Sequence, residues 1–362
     1  LAINMRDQKR HLPINNTLSA VQQQTAAEKG TISIHFVRPV AAALTAHGLN
    51  AHSVLHAAGI PPALLDVGLS RVSASQYAEL WRRTISGMDD EFFGQDSRRM
   101  KEGSFALLVR AVVHCQTLAG ALDRAIRYFG IFLDDVALEL ARAGQLAHLT
   151  VKPKNAAHAV PRFAQETLLV MTHGLACWLV GRRIPIQKAT FAYPTPDHAG
   201  EYAAIFSPNL HFDAPQTVIE FQAATLDLPV TQSERSAKDF LRMAPQNILL
   251  KYKSPQSMAT RIRRRLRQTL PHELPDLDSL ARELGAAPAT LRRRLKEEGE
   301  SYQTIKDNLR RDLAIAYLSS TNLSVRDISL ALGFDEPSAF HRAFRKWADL
   351  SPGAYRRAKQ PD

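Results

Sequence analysis

The chain is poor in features that carry covalent or membrane chemistry. Two cysteines, Cys115 and Cys177, occur in 362 residues. That is too few for a disulfide framework, and their apolar neighbours predict buried, reduced thiols. No apolar run approaches the roughly 18 residues of a membrane-spanning helix, so no bilayer contact is expected. No secretory leader is visible. The chain opens on Leu1, and Met5 is a candidate start. Phosphate-cradling GxxxxGK, dinucleotide-binding GxGxxG and nucleophile GxSxG patterns are absent. His52 and His56 have the i,i+4 spacing of a metal pair, but no Glu follows His52 and no third ligand lies nearby in sequence, so surface or core histidines are expected. His114 and Cys115 are adjacent, point apart on a helix, and make a poor base–nucleophile pair. Asp89, Asp90 and Glu91, and Asp134 with Asp135, fall at helix boundaries, where capping accounts for them. These gaps argue against an enzyme, a cofactor or a metal centre.

What remains is an ordinary globular composition, 45% apolar and 22% charged, with a net charge of +11. A chain of this length is comfortable as two domains. From Pro255 onward there are 20 Lys and Arg against 14 Asp and Glu, so the positive excess is densest at the C-terminal end. Nucleic-acid contact requires such an excess.

That end is also the most structured in pattern. In LDSLARELGAAPATLRRRLKEEG, Asp276 is an N-cap and Leu277, Leu280, Ala281 and Leu284 form an apolar face. Gly285 ends the helix and Pro288 suits the first position of the next. Leu291 and Leu295 face inward, which leaves Arg292, Arg293, Arg294 and Lys296 outside; Gly299 closes the unit. SVRDISLALGFDEPSAFHRAFRKW repeats this grammar. Ser324 with Asp327 resembles a capping box. Val325, Ile328, Ala331 and Leu332 face the core, Gly333 turns the chain, Phe334 plugs the gap and Asp335 caps the next helix. Phe340, Phe344 and Trp347 point inward; His341, Arg342, Arg345 and Lys346 do not. Between the units, a Ser301-capped helix of roughly 18 residues would span about 27 Å. Such a strut sets two reading helices into successive major-groove turns on one DNA face. Upstream, Met258, Ile262, Leu266 and Leu270 define an amphipathic helix whose arginines serve either phosphates or a solvated face.

These residues resemble the DNA-binding domain of AraC/XylS-type transcription regulators over Met258 to Arg357. The strongest part is ISLALGFDEPSAFHRAFRKWADLSPGAYR, with Gly333-Phe334, Ser338, Phe340, Arg342, Phe344, Ser351-Pro352 and Tyr355-Arg356; LRRDLAIAYL fits the connecting helix. Ala287 departs from the usual Ser cap, and Asp349 replaces the usual Gly. The resemblance implies base-reading positions Ala289, Arg292 and Arg293 in the first unit and Ser338, Ala339, His341 and Arg342 in the second. Lys296, Arg345 and Lys346 complete the DNA-binding set. A salt bridge to a nearby acid is the competing role for Arg292 and Arg342.

Residues 1–30 are polar and read as disordered. Order begins near Ile32 with helical runs: FVRPVAAALTAHGL to Gly48, AHSVLHAAGIPPALL with a stop at Gly59, QYAELWRRTISGM capped by Ser73 or Ser75, then SFALLVRAVVHCQTL and LAGALDRAIRYFGIFL. VALELARAGQLAHLTVKP alternates around Gly144 as a hairpin does. FAQETLLVMTHGLACWLVGRR returns to helical period. KATFAYP is a strand, PDHAGEYAAIF a helix, and LHFDAPQTVIEF supplies two short strands about Pro215. Interspersed helices and strands predict an α+β domain over 31–228. A linker at 229–257 follows, with a helix around Phe240 to Leu250, and then an all-α DNA-binding domain with two helix-turn-helix units at 258–358.

The front part is similar to the "arabinose-binding-like" N-terminal domains of ornithine-responsive and virulence-associated AraC-type regulators. AAGIPPALL, RYFGIFLDDVALEL and HFDAPQTVIEFQAATLDLP carry the likeness. It implies a bacterial, cytoplasmic transcription factor, activator or repressor, working on double-stranded promoter DNA with RNA polymerase. A homodimer is the expected assembly. The front domain either binds a small-molecule effector or serves only to dimerise, and a nucleoid-type structural binder is a third reading.

Overall fold

A computed structural model describes residues 31–357 apart from 69, 156, 158, 245–247, 249–257, 271–273, 299 and 349. The expectations for 1–30, Gly299, Asp349 and most of the stretch before Pro255 lie outside the described residues. Two compact units form, each from separate stretches of chain. One takes its described residues from 31–34, 59–77 and 258–357, and the other from 35–58 and 78–257.

The larger unit is α+β. Its helices ahead of the sheet are α1 (Ile34–Ala46), α2 (Ala51–Ala57), α3 (Ala74–Met88), α4 (Ser104–Val112) and α5 (Leu118–Phe132), of which α1 belongs to it from residue 35 and α3 from residue 78. Ser73 and Gln76 form a capping box at the start of α3: Gln76 N–H donates to Ser73 Oγ and Ser73 N–H to Gln76 Oε1. Strands β3 (Val136–Ala143) and β4 (Leu146–Pro153) make the expected hairpin. Helix α6 (Arg162–Leu179), β5 (Lys188–Thr190), α7 (Ala199–Ile205), β6 (Leu210–His211) and β7 (Thr217–Gln222) follow. The sheet order is β3-β4-β7-β5-β6. The strands about Pro215 are therefore not neighbours, because β5 lies between them and pairs parallel with β6 and antiparallel with β7. Alternate residues Leu138, Leu149, Val151, Ile219 and Phe221 enter the core, and α6 is buried along most of its length.

The acidic clusters act as backbone acceptors. Buried Asp90 accepts from the N–H groups of Phe92, Gly94 and Met100, and Glu91 accepts from Gly103 and Phe105 at the start of α4. Cys177 is buried beside His173, but Cys115 is only half-buried, at the end of the turn after α4, so the expectation of two buried thiols holds for one. The helix expected around Phe240 begins earlier, as α8 (Glu234–Arg242). A capping box between Ser233 and Ser236 starts it, and Phe240 stacks on Trp178 with ring centroids 4.4 Å apart. The polar composition of 231–236 had concealed that start.

Among its described residues the smaller unit is helical apart from two three-residue strands, β1 (Thr31–Ser33) and β2 (Arg71–Ser73), which pair antiparallel. Neither strand is visible in the hydrophobic pattern. Its C-terminal part runs α9 (Met258–Thr269), α10 (Leu277–Glu283), α11 (Pro288–Glu297), α12 (Tyr302–Ser320), α13 (Val325–Ala331), α14 (Pro337–Ala348) and α15 (Pro352–Arg357). Among the described residues no helix is long and apolar enough to cross a membrane.

Candidate nucleic-acid interface

Each helix pair is built by local chemistry. Asp276 Oδ1 accepts from Ser279 N–H at 2.7 Å and starts α10. That backbone bond, first among several causes, holds the Asp276 carboxyl below its ordinary range. Gly285, at φ +65°, reverses the chain into α11, and Gly333, at φ +67°, does the same before α14. A side chain other than Gly is strained in that left-handed region. Ala287 occupies the N-cap of α11 and makes no side-chain bond there. Ser324 Oγ accepts from Asp327 N–H at 3.1 Å, as expected. The reciprocal half of the box is replaced, because the short Asp327 side chain instead accepts the Ser324 hydroxyl at 2.6 Å. Asp335 was expected to cap α14; that helix starts at Pro337, and Glu336 provides the first carbonyl acceptor, to Ala339 and Phe340.

Burial separates two faces on each second helix. Leu291 and Leu295 of α11 are buried, as are Phe340 and Phe344 of α14. Phe334 packs on Phe340 and Trp347, with centroids 5.6 and 6.3 Å away. Ala289, Arg292, Arg293, Arg294 and Lys296 are exposed on the first unit. Ser338, His341, Arg342, Arg345 and Lys346 are exposed on the second, and Ala339 is half-buried. Arg292 lies 3.5 Å from Asp278, but both side chains are largely exposed, 63% and 65%. An exposed pair contributes about 0–1 kcal/mol, so a phosphate or a guanine edge competes readily for that guanidinium. Ser338 Oγ donates to Glu336 at 3.0 Å.

Helix α12 joins the units. Ser301 caps it, Ile305, Leu309, Leu313, Ala316 and Leu318 are buried, and it packs on α9, α13 and α14. Its 19 residues span about 28 Å at 1.5 Å per residue. Arg310 on this helix has a role that pattern reading missed. Its guanidinium donates to the carbonyls of Leu332 (3.1 Å) and Gly333 (2.9 Å) and sits 4.6 Å from the Phe334 ring centroid. It thereby fixes the turn that aims α14; a basic residue one helix away from a Gly-Phe turn was the available signal. Two of the five arginines of α9 pair with acids of their own unit, Arg265 with Glu283 at 2.8 Å and Arg263 with Glu300 at 3.9 Å. His52 and His56 are exposed, and no cluster able to hold a metal occurs among the described residues.

Paired helix-turn-helix units on one connecting helix, each presenting a basic second helix, define a DNA-binding regulator of transcription. The chain belongs to the AraC family. Residues 48–230 match the arabinose-binding domain of AraC transcription regulators, and residues 280–358 match a helix-turn-helix domain. The chain is similar to the ornithine utilization regulator of Pseudomonas aeruginosa, with 30% identity over 313 residues that cover 86% of this chain and 92% of that one. An uncharacterized HTH-type transcriptional regulator of Mycobacterium tuberculosis is 26% identical, again over 86% of this chain and 92% of its own. The regulator VqsM of P. aeruginosa is 29% identical over 54% of this chain and 60% of its own. The last two are named as HTH-type transcriptional regulators.

Proposed function

We propose that α11 and α14 read adjacent major-groove windows of an operator, and that a small-molecule effector bound by the larger unit modulates this reading. The observation that carries the DNA half is the division of each second helix into a buried apolar face and an exposed basic one. Arg292, Arg293 and Arg342 are the base readers, since a guanidinium matches O6 and N7 of guanine. Ala289, Ser338, Ala339 and His341 complete the reading surface. Lys296, Arg345 and Lys346 hold phosphates, which set position without carrying sequence information. The protein acts in the cytoplasm as a homodimer on promoter DNA, in contact with RNA polymerase.

The test is a gel-shift series on an operator and its single-base variants. Arg292→Ala or Arg293→Ala weakens operator binding by about 1–3 kcal/mol and relaxes choice at one base pair. Lys296→Ala or Lys346→Ala weakens specific and random DNA alike and flattens the salt dependence. Equal losses on specific and random DNA for the arginine variants refute their base-reading role. A thermal-shift screen of metabolites on the full chain tests the effector half, since a specific ligand stabilises the folded state increasingly as its concentration rises above Kd.

A further inference from the structure

The larger unit holds a cleft of about 680 Å³ that DNA reading leaves unused. Its walls come from stretches far apart in sequence. Helix α1 gives His35 and Arg38, the first turn of α6 gives Arg162, and the segment between β5 and α7 gives Tyr193 and His198. Pro39, Pro194 and Pro196 supply apolar wall. A few polar groups converging in an apolar concavity of this size are the usual make-up of a small-ligand site.

The charge in the cleft is lopsided. Arg38 and Arg162 bring two guanidiniums to one concavity. Arg38 Nη1 donates to His35 Nδ1 at 3.3 Å. Arg162 Nε lies 3.7 Å from Glu166 Oε1, beyond hydrogen-bond length, and its side chain is 45% exposed. Glu166 sits behind the wall at 7% exposure and already accepts the hydroxyls of Tyr193 and Tyr202. Burial pushes its carboxyl above the ordinary range, against the lowering effect of Tyr202, Arg162 and Tyr193. Asp197 also lines the cleft but is exposed, and solvent screens it. The His35 and His198 rings stack 4.2 Å apart and within 8° of parallel, making a flat shelf. Burial, and after it the electrostatic influence of His35 and Arg162, holds the His198 imidazole down to about 4 against the opposing pull of Glu201 and Asp197. Burial alone disfavours an ion of either sign, so the preference for an anion comes from the two guanidiniums of Arg38 and Arg162.

We propose that this cleft binds a small organic carboxylate, clasped at its charged end by Arg38 and Arg162 and covered along its body by the imidazole shelf and the proline walls. The guanidinium fork matches carboxylate geometry. The proposal rests on the effector reading above and adds to it the site and the chemical class.

The test uses the full chain and a set of thermal-shift probes: benzoate and succinate, their uncharged amides, inorganic phosphate, putrescine and arabinose. Benzoate or succinate raises the melting temperature and the matching amide does not. Arg38→Gln and Arg162→Gln each weaken that binding roughly tenfold or more, as loss of a charged hydrogen bond does, and Arg38→Lys retains part of it. The unliganded melting temperature of each variant reports its folding. Independently of any variant, carboxylate binding moves the wild-type His198 titration, followed by NMR, upward from about 4. Carboxylates that act equally on wild type and both Gln variants overturn the site. Stabilisation by phosphate, putrescine or arabinose with none by the carboxylates overturns the ligand class and leaves the effector reading standing. Failure of every compound in the wider metabolite screen sinks the effector reading as well.

Discussion

Replacing Tyr355 by Phe removes a single hydroxyl from the core of the smaller, helix-turn-helix unit. Tyr355 is 2% exposed, and its ring meets Phe344 edge-on at 5.6 Å, so the aromatic body stays packed in the variant. The hydroxyl donates to the backbone carbonyl of Arg71, in β2, at 2.5 Å. Without it a buried carbonyl loses its donor, at a cost of about 1–3 kcal/mol. That corresponds to a roughly 5- to 150-fold rise in the local opening equilibrium. A chain of two units need not unfold in one step, so the readout must be local. Amide hydrogen exchange of the full chain, followed on peptides from 59–77, rises by that factor, with peptides of α6 as internal reference. Thr31→Val loosens the same strand pair, because Thr31 Oγ1 donates to Asp312 and accepts from Arg71 Nε, both at 2.9 Å. Unchanged exchange over 71–77 in Tyr355→Phe, or an equal rise in α6, would refute the assignment of β2 to the compact unit of the helix-turn-helix pairs.

Two further outcomes follow from caps and from titration. Ala287→Ser supplies the missing side-chain acceptor at the start of α11 and stabilises the unit by about 1 kcal/mol in urea denaturation; a neutral or harmful effect would show that the cap position is strained. His198 protonates at the ordinary 6.5 when unfolded and at about 4 when folded. The unfolded chain therefore binds the extra proton between those values, so stability is full above pH 6.5 and declines as pH falls to about 4. Urea midpoints across that window should flatten in His198→Gln, and an unchanged slope would remove His198 as the cause.

Much of the molecule is legible in one dimension because its signals act within a few residues. Asp276, Ser301 and Ser324 cap the helices they precede, Gly285 and Gly333 turn the chain, and Leu291, Leu295, Phe340 and Phe344 mark the buried faces that leave the arginines outside. A cap or an i,i+4 stripe depends on a single turn of helix, so its energetics are written in adjacent letters. Where local signals were weak or shared between neighbours, boundaries shifted, as at Glu234 and Pro337.

Other features were decided only by folding. β1 and β2 are three residues each, too short to show a period, and their order comes from partners such as Asp312 and Tyr355, some 280 residues away in sequence. The insertion of β5 between β7 and β6, and the meeting of Arg38, Arg162 and His198 around one cleft, join stretches that carry no pairwise mark of each other. Such arrangements reflect the summed packing of many individually small contacts across a closed core. The residue string therefore specified the paired helix-turn-helix units by itself, and tertiary packing alone decided the sheet order, the strand pair beside those helices and the cleft.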